Sequence, residues 1–406
     1  MGFNPLQEKG IAIDDQISSW SEVNMQPYDK NTVDPYTRAR IILMNGIEVE
    51  AALFSHMFAR HTSDPELKQT LALGRRLEQQ QQKMVNWMVP GNESTLEVTI
   101  GYEQVAVDLT AYLARTEPDS YVKAALDFGL LEDFDHLYRY ANLMMLTEGK
   151  EAASVTKQYT EIIPGRPTIM EHRFPFDDVR RPINKDSADI LTKLHLLTIV
   201  AGEQQTMNYY MNVGNRFSDM IGRGLYAEIG QIEEAHVTHY ESLMDPTMSW
   251  FEQWLLHEYN ECYLYYSFML QEPDPRIRSM WERNLRMEIE HLKIAADMMR
   301  RYEGREPESI LPQSLPAEIK FESNVDYVRE VLANQVNLTA MGTEFVPFDQ
   351  IPPDYRYFMY QNKVNSGGAP SEMVIRRTMD EIGRDYRQEL AGSHPVQYEN
   401  VYKKAA

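Results

Sequence analysis

The feature that most constrains the fold is a spacing of acidic residues and histidines that recurs along the chain. A shift of 155 residues superposes five pairs of residues: Glu48 and Glu203, Glu78 and Glu233, Glu103 and Glu258, Asp133 and Glu288, and His136 and His291. Self-similarity at a fixed period indicates a duplicated architecture. The simplest interpretation is a chain built from two homologous halves.

A shorter spacing of 55 residues lies within each half and divides the chain into four similar units. Each unit has a glutamate, then an acid 30 residues later, and then a histidine or glutamine after three more residues. The residues that end the four units are Gln81, His136, His236 and His291. An aspartate precedes each second acid by 14 residues, and these aspartates are Asp64, Asp119, Asp219 and Asp274. Because aspartate is a preferred helix N-cap, each unit is predicted to be a helix, a turn and a second helix.

The sequence between these turns predicts an all-α fold with two tandem four-helix bundles and an extended C-terminal tail. Apolar residues recur at the spacing of one helix face, as in residues 187–211, and helix breakers are few. The predicted helices cover residues 37–61, 65–88, 96–115, 120–148, 187–212, 219–244, 248–270 and 275–302. The predicted domains are an N-terminal arm (1–36), a first bundle (37–148), a linker (149–186), a second bundle (187–302) and a C-terminal extension (303–406).

The pairing of the hairpins stays open at this point. Only Asp245, Pro246 and Thr247 separate two of the predicted helices, and three residues span about 10 Å. A return along the bundle would need roughly 30 Å. Each half is therefore up-down-up-down, or hairpins from different halves pair with each other.

Composition excludes several classes of protein. The net charge is −21 and the pI is about 4.9, which argues against binding to nucleic acid or to an anionic membrane surface. The single cysteine, Cys262, excludes a disulfide within the chain and any CxxC zinc or iron–sulfur site. The first residues lack the apolar segment of a signal peptide, and 18 uninterrupted apolar residues occur nowhere. We therefore expect a cytoplasmic protein.

The second half carries the residues of a metal site. On a helix, residues three apart share a face, so Glu233 and His236 project together, as do Glu288 and His291. The six residues predicted to converge in one layer are Glu203, Glu233, His236, Glu258, Glu288 and His291. Buried carboxylates repel one another and lose solvation unless cations neutralise them. Oxygen and imidazole ligands without thiolate suit iron or manganese, so the predicted cofactor is two Fe or Mn ions per complete site.

Helices that contribute Glu, Glu-x-x-His, Glu and Glu-x-x-His resemble those of the ferritin-like di-iron carboxylate proteins, which include rubrerythrins, bacterioferritins and di-manganese catalases. The resemblance covers residues of about 40 to 300. It implies that Glu203 and Glu258 are terminal ligands, that Glu233 and Glu288 bridge the metals, and that His236 and His291 bind one metal each. Glu261 is similar to the additional glutamate of rubrerythrins, which implies a catalytic role for Glu261 in peroxide reduction.

The first half carries a degenerate form of the same set. Its members are Glu48, Glu78, Gln81, Glu103, Asp133 and His136. Gln81 stands where histidine is expected and is a weak neutral ligand, and Asp133 is one methylene shorter than glutamate. This set predicts either a second metal site or a bundle that is only structural. Glu50 competes with Glu48 as a ligand, and His257 is expected at a helix surface.

These residues favour a redox enzyme that acts on peroxide or dioxygen and receives electrons from a separate donor protein. The alternatives are a di-iron oxygenase or oxidase of an organic substrate, and a non-enzymatic protein that binds or stores iron. An apolar cavity beside the metals would favour the oxygenase, and a small site with Glu261 pointing inward would favour the peroxidase. The linker is expected to pack on the surface, and the C-terminal extension carries no predicted chemistry, although it could form a homo-oligomer.

Overall fold

The computed structural model describes residues 2–166 and 170–387. The described part of the chain is mostly helical, with about 66% of those residues in helices, so the predicted all-α class is confirmed. The helices are α1 (Trp20–Val23), α2 (Pro35–Arg60), α3 (Pro65–Asn86), α4 (Thr95–Thr116), α5 (Ser120–Glu148), α6 (Ala153–Thr156), α7 (Ile190–Val213), α8 (Met220–Glu241), α9 (Trp250–Gln271), α10 (Pro275–Glu303), α11 (Val325–Gln335), α12 (Arg356–Val364) and α13 (Pro370–Ile382). Within the described residues the strands are β1 (Leu338–Met341) and β2 (Glu344–Pro347), which pair antiparallel.

The eight long helices that the sequence predicts are all present, and their ends lie within three residues of the predicted ends. They are α2 to α5 and α7 to α10. Side-chain capping sets several of the starts: Asp64 accepts a hydrogen bond from the Leu67 amide at 2.9 Å, and Asp219 accepts one from the Ile221 amide at 2.7 Å. The starts of α2 to α5 recur 155 residues later as the starts of α7 to α10.

The C-terminal extension differs from the sequence prediction. A helix over 324–341 is predicted, but α11 ends at Gln335 and residues 338–341 form β1. The chain turns at Gly342, whose φ of 59° suits glycine, and returns as β2. A second helix predicted over 371–391 ends earlier, because Gly383 terminates α13 with a φ of 78°. Residues 388–391 of that prediction lie outside the described residues.

The chain folds into two compact units. The first contains residues 2–92, 183–205 and 245–321, and the second contains the described residues of 93–182, 206–244 and 322–387. The first unit therefore combines the hairpins α2–α3 and α9–α10, and the second combines the hairpin α4–α5 with α8. Helix α7 runs from the first unit into the second.

This division differs from the predicted bundles at 37–148 and 187–302, and it corresponds to the alternative in which hairpins from different halves combine. The connection between α8 and α9 covers residues 242–249 rather than three residues, because α8 ends at Glu241. The spacing of acidic residues and histidines within a hairpin predicts the structure of that hairpin, but it does not predict which other hairpin packs against it. Which other hairpin covers its apolar face depends on packing between segments that are far apart in sequence.

Each unit has its own apolar core. In the first unit α2 packs against α3 and α9, and α9 packs against α10. Phe58 stacks on Trp250 there, with ring centroids 5.6 Å apart. In the second unit α4 packs on α5, and α13 covers α5 and α8. Leu131, Phe134 and Tyr140 of α5 are buried in that core.

Helix α2 is long and apolar enough to span a membrane by length and composition. However, 61% of its most apolar window is buried inside the structure. The core helix of a globular protein passes the same test, so this helix is weak evidence for a membrane span.

Gly46 on α2 marks a close approach between helices of the first unit. A Cβ atom at this position would lie 2.9 Å from the Ala201 carbonyl oxygen and 2.9 Å from Nε2 of Gln205. We expect Gly46→Ala to destabilise the protein by about 1–3 kcal/mol, because the added methyl group overpacks this contact. The measurement is the thermal or urea unfolding midpoint.

Gly74→Ala on α3 is the matched control for this prediction. A Cβ atom at Gly74 would meet nothing within 4 Å, and alanine is favoured over glycine within a helix by about 0.5–1 kcal/mol. The control should therefore be slightly stabilised. A Gly46→Ala variant that gains as much stability as Gly74→Ala would show that this packing is not tight.

Candidate metal centres

Two overlapping groups of potential metal ligands lie in the first unit. In each group, one ligand atom from every residue lies within 4.8 Å of the others, and all of the residues are buried. The groups are Glu78, Glu258, Glu288 and His291, and Glu48, Glu78, Glu261 and Glu288. Glu78 and Glu288 belong to both groups. They lie on α3 and α10, while Glu258 and Glu261 come from α9 and Glu48 comes from α2.

His291 orients the first of these groups. Its Nδ1 is 3.0 Å from Oε1 of Glu78, 3.0 Å from Oε2 of Glu288 and 3.8 Å from Oε2 of Glu258. Its Nε2 lies 2.7 Å from Oε1 of Gln16. Gln16 can accept a hydrogen bond from Nε2–H, which leaves Nδ1 facing the carboxylates. Gln16 belongs to the N-terminal arm, where the sequence gave no reason to expect a functional residue.

Other polar side chains hold the carboxylates in place. Trp254 Nε1 donates to Oε1 of Glu258 at 2.6 Å. Tyr265 donates to Glu48, and Gln81 donates through Nε2 to Glu288. Gln81, predicted as a weak ligand, therefore contacts a carboxylate of the cluster in the position where a histidine was expected.

Burial dominates the electrostatics of this cluster. Desolvation raises the pKa of Glu48, Glu258 and Glu261 well above the ordinary value, and the neighbouring carboxylates raise it further. Burial also disfavours ionised Glu288, but the charge of His291 and hydrogen bonds hold its pKa below the ordinary value. Burial lowers the pKa of His291, yet Glu288 and Glu78 raise it well above the ordinary value.

The carboxylates of this cluster have fewer hydrogen-bond donors nearby than their oxygens could accept from. One buried oxygen of each of Glu48, Glu78, Glu258 and Glu261 has no hydrogen-bond partner among the described residues. Glu48 is next to Glu78, and Glu261 is next to Glu288. Carboxylates that face one another in a dry interior require either shared protons or cations. A donor set of carboxylate oxygens and one imidazole, without sulfur, fits iron or manganese.

A second cluster lies in the second unit and is organised around Glu233 of α8. Glu103 and His136 group with Glu233, and Asp133 and His236 also group with it. His136 Nδ1 is 2.9 Å from Oε1 of Glu233, and His236 Nδ1 is 3.1 Å from Oε2 of the same carboxylate. Each oxygen of Glu233 therefore faces one imidazole.

The other acids of this cluster are also buried. His236 Nδ1 lies 3.3 Å from Oδ1 of Asp133, and Thr110 donates to Oδ2 of Asp133 at 3.2 Å. Burial raises the pKa of Asp133 to about 7 and raises that of Glu103 well above the ordinary value. Tyr210 of α7 donates to Glu103. Gln81 and Asp133 are the two residues of the first half that differ from the expected histidine and glutamate. They therefore lie in different clusters.

The six residues predicted to form one complete set are divided between the units. Glu258, Glu288 and His291 lie in the first unit with Glu48, Glu78 and Gln81, whereas Glu233 and His236 lie in the second with Glu103, Asp133 and His136. The cause is the exchange of hairpins described above. Glu203 is buried on α7, seven residues and about two turns before Tyr210, and it lies in the first unit.

Charged residues that the sequence analysis missed surround the histidines of the second unit. Glu132, next to Asp133, lies 3.0 Å from Nε2 of His236. Arg166 Nη1 donates to Oε1 of Glu132 at 3.0 Å, and Arg173 Nη2 donates to Oε2 at 3.1 Å. Burial opposes ionisation of Glu132, but Arg173 and His236 hold its pKa far below the ordinary value.

The linker therefore contributes directly to the second cluster, and its predicted surface position is wrong for these residues. Arg166, Glu171 and Arg173 are buried. Glu171 Oε2 lies 3.4 Å from Nε2 of His136. Phe176 does lie at the surface. A run of charged residues within an otherwise irregular segment, Glu171 to Arg173, was the available sequence signal.

The structure also separates Glu48 from Glu50. Glu48 joins the first cluster, whereas Glu50 lies 2.8 Å from Nε2 of His257. His257 is buried rather than at a helix surface. Its Nδ1 faces the Gln253 carbonyl oxygen at 2.7 Å.

We expect Arg173→Met to destabilise the second unit by about 3–5 kcal/mol, because removal of one partner leaves buried charges unpaired. Arg173 contacts both Glu132 and Asp178, and all three side chains are buried. The measurement is the free energy of unfolding in urea.

The matched control is Arg181→Met in the same segment. Arg181 is 3.5 Å from Glu344, and both side chains are more than half exposed, so its removal should change stability by less than about 1 kcal/mol. Equal effects of the two substitutions would contradict the role given to Arg173.

No protein-family model, no curated protein and no solved structure matches the chain. The resemblance to ferritin-like proteins therefore depends on the residues and spacings described above.

Proposed function

We propose that this chain is a non-haem dinuclear metal protein in which each unit is a ferritin-like four-helix bundle that binds a pair of iron or manganese ions. The observation that carries the proposal is the sharing of Glu78 and Glu288 by two overlapping ligand groups in the first unit. Two carboxylates common to two groups are what bridged metal ions require, because each carboxylate offers one oxygen to each ion.

In the proposed first centre, Glu78 and Glu288 would be shared by the two ions, Glu258 and His291 would hold one ion, and Glu48 and Glu261 would hold the other. In the proposed second centre, Glu233 would be the shared carboxylate, with Glu103 and His136 holding one ion and Asp133 and His236 holding the other. The hydrogen-bond partners of the ligands support this assignment, because Gln16 and Glu132 occupy the outward nitrogens of His291 and His236.

We further propose that the first centre reduces hydrogen peroxide or dioxygen. A cavity of about 30 Å³ lies beside it, lined by Glu78, Glu258 and His291 together with apolar residues such as Phe54 and Leu71. This volume suits one or two water-sized molecules, which favours a small oxidant over an organic substrate at this centre. The membership of Glu261 in the ligand cluster supports the peroxidase interpretation.

Bound metal ions would supply the electrons for this reduction, and the side chains would supply positions. Reduction of hydrogen peroxide to water takes up two electrons and two protons. Glu258 lines the cavity and would hold an ion there as a carboxylate, so the protons would enter with the water-sized molecules that the cavity admits. Trp254 fixes the other oxygen of Glu258.

A separate electron-donor protein is part of the proposal, because the one cysteine excludes a rubredoxin-like module within the chain. A cytoplasmic location agrees with this dependence on a reductant. Iron storage is the rival interpretation, and storage requires a shell of many subunits. Native mass spectrometry separates the two, since a small oligomer would exclude storage.

The test begins with metal analysis of full-length protein purified without added metal. The metal-free protein is then loaded anaerobically with Fe(II) and mixed with hydrogen peroxide or dioxygen in a stopped-flow spectrometer. We expect bound iron to be oxidised rapidly, and we expect hydrogen peroxide to oxidise it faster than dioxygen does. Protein that binds no metal at neutral pH would overturn the metal proposal, and bound Fe(II) that reacts with neither oxidant would overturn the redox proposal.

A further inference from the structure

A cavity of about 350 Å³ in the second unit is large enough for an organic molecule. It lies between the segment before α7, helix α8 and helix α12, and its walls include Glu171, His172, Arg173, Ala235 and Tyr360. Small-molecule sites in proteins have volumes of roughly 300–1,000 Å³. The cavity is therefore about ten times larger than the one beside the first centre, and it belongs to a different class of site.

The cavity shares walls with the second metal cluster. Glu171 lines it and also lies 3.4 Å, through Oε2, from Nε2 of His136. On α8, Ile232 and Ala235 line it, and these residues directly precede Glu233 and His236. A molecule that contacts Glu171 in the cavity would therefore be one side chain away from His136 of the cluster.

The charges of the lining disfavour anions. Arg173 is engaged by Glu132 and by Asp178, with Nε to Oδ1 at 3.1 Å. His172 Nε2 lies 2.8 Å from Glu228. Among the described lining residues, the cationic groups are thus already paired with carboxylates, and an anionic ligand would have to displace one of them.

The same lining offers several groups to a cation. Among the described residues, Glu234 of the wall forms no ion pair with arginine or lysine, and Oε1 of the buried Glu171 has no hydrogen-bond partner, so it can accept from an ammonium group. Tyr360 presents an aromatic ring, which can also attract an ammonium group. His172 is buried, and its Nδ1 has no hydrogen-bond partner. Ile232, Val364 and Pro370 supply apolar surface.

From this juxtaposition we infer that the cavity binds a small organic amine with an apolar body and holds it against the second metal cluster. Binding itself is independent of the proposed function. Any consequence of amine binding for the second centre rests on the proposed function.

The test uses three probes of equal size and different charge: benzylamine, benzyl alcohol and benzoate. Their binding to full-length protein is measured by calorimetry, with and without bound Mn(II). Benzylamine should bind most tightly and benzoate least. Benzoate binding as tight as that of benzylamine, or no binding of benzylamine, would overturn the inference. Amine binding by a protein that takes up no metal would instead support the inference while overturning the proposed function.

Two variants locate the site. Ala227→Trp on α8 and Val364→Trp on α12 fill the cavity from different walls, and each should weaken benzylamine binding at least about tenfold. Ala72→Trp, at an exposed position of α3 in the first unit, is the control and should bind normally. Circular dichroism identifies any variant that fails to fold. Unchanged affinity in both folded cavity variants would overturn the inference.

Discussion

Replacing Glu288 with alanine is expected to remove both metal ions of the first centre and to lower the metal content of the chain by about half, because a bridged pair is lost together. Glu288 belongs to both ligand groups of the first unit and lies 3.0 Å from His291. Neither ion can retain its full ligand set without it. The measurement is the metal content per chain by inductively coupled plasma mass spectrometry after dialysis against Mn(II).

The controls for this prediction come from the same helix and from the other unit. Glu282→Ala changes an exposed glutamate of α10 and should leave the metal content unchanged. Glu233→Ala should remove the metals of the second centre and leave the first loaded, since Glu233 is the residue shared by both groups there. A folded Glu288→Ala variant with the metal content of the wild type would refute the assignment of bridging carboxylates.

Local rules explain why the sequence predicted the helices and most of the residues of the buried clusters. The N-cap aspartates, such as Asp64 and Asp219, specify where helices begin. The spacing of three residues places Glu288 and His291 on one face. Both rules act within a single hairpin, so they hold regardless of which other hairpin packs against it.

Long-range pairing could not be predicted in the same way. The sequence grouped Glu233 with Glu288, but Glu233 lies in the second unit and Glu288 lies in the first. Four hairpins with similar ligand spacing can be combined in several ways, and the choice depends on contacts such as those between α2 and α9. The repeat predicted residue types that the structure gathers into buried clusters, and it left their combination open.

The residues that support the ligands come mostly from irregular segments. Gln16 contacts His291 from the N-terminal arm, and Arg166, Glu171 and Arg173 approach the second cluster from the segment before α7. Such segments have no periodicity that would show which residues point inward. Their roles depend on tertiary contacts, so only the structure could identify them.

The metal-free protein is expected to lose stability as the pH rises from about 4.5 towards neutrality, and bound metal should reverse this loss. Burial raises the pKa of Glu48, Glu103, Glu258 and Glu261 well above the ordinary value of 4.5. Above pH 4.5 the unfolded chain releases protons that the folded chain still holds. Each such group therefore removes up to roughly 1.4 kcal/mol of stability per pH unit until its folded pKa is reached.

The histidines of the clusters act in the same direction. Neighbouring carboxylates outweigh burial and raise the pKa values of His136 and His291 well above the ordinary value of 6.5, so their stabilising contribution is also lost as the pH rises through the raised values. Glu233 and Glu288 oppose this trend, because their pKa values are lowered and their contribution is lost only in acid. The raised groups outnumber the lowered ones, and the net effect is destabilisation at neutral pH.

Divalent cations compete with protons for the oxygens of the buried carboxylates. The stabilisation by metal is therefore expected to depend on pH. Mn(II) at about a thousand times its dissociation constant should stabilise the protein by about 4 kcal/mol per independent site, or roughly 10 °C in Tm. The gain should be large at pH 7 and small at pH 5, where protons already neutralise the carboxylates. A gain of equal size at both pH values, or a metal-free protein more stable at pH 7 than at pH 5, would contradict the view that buried carboxylates create the need for metal.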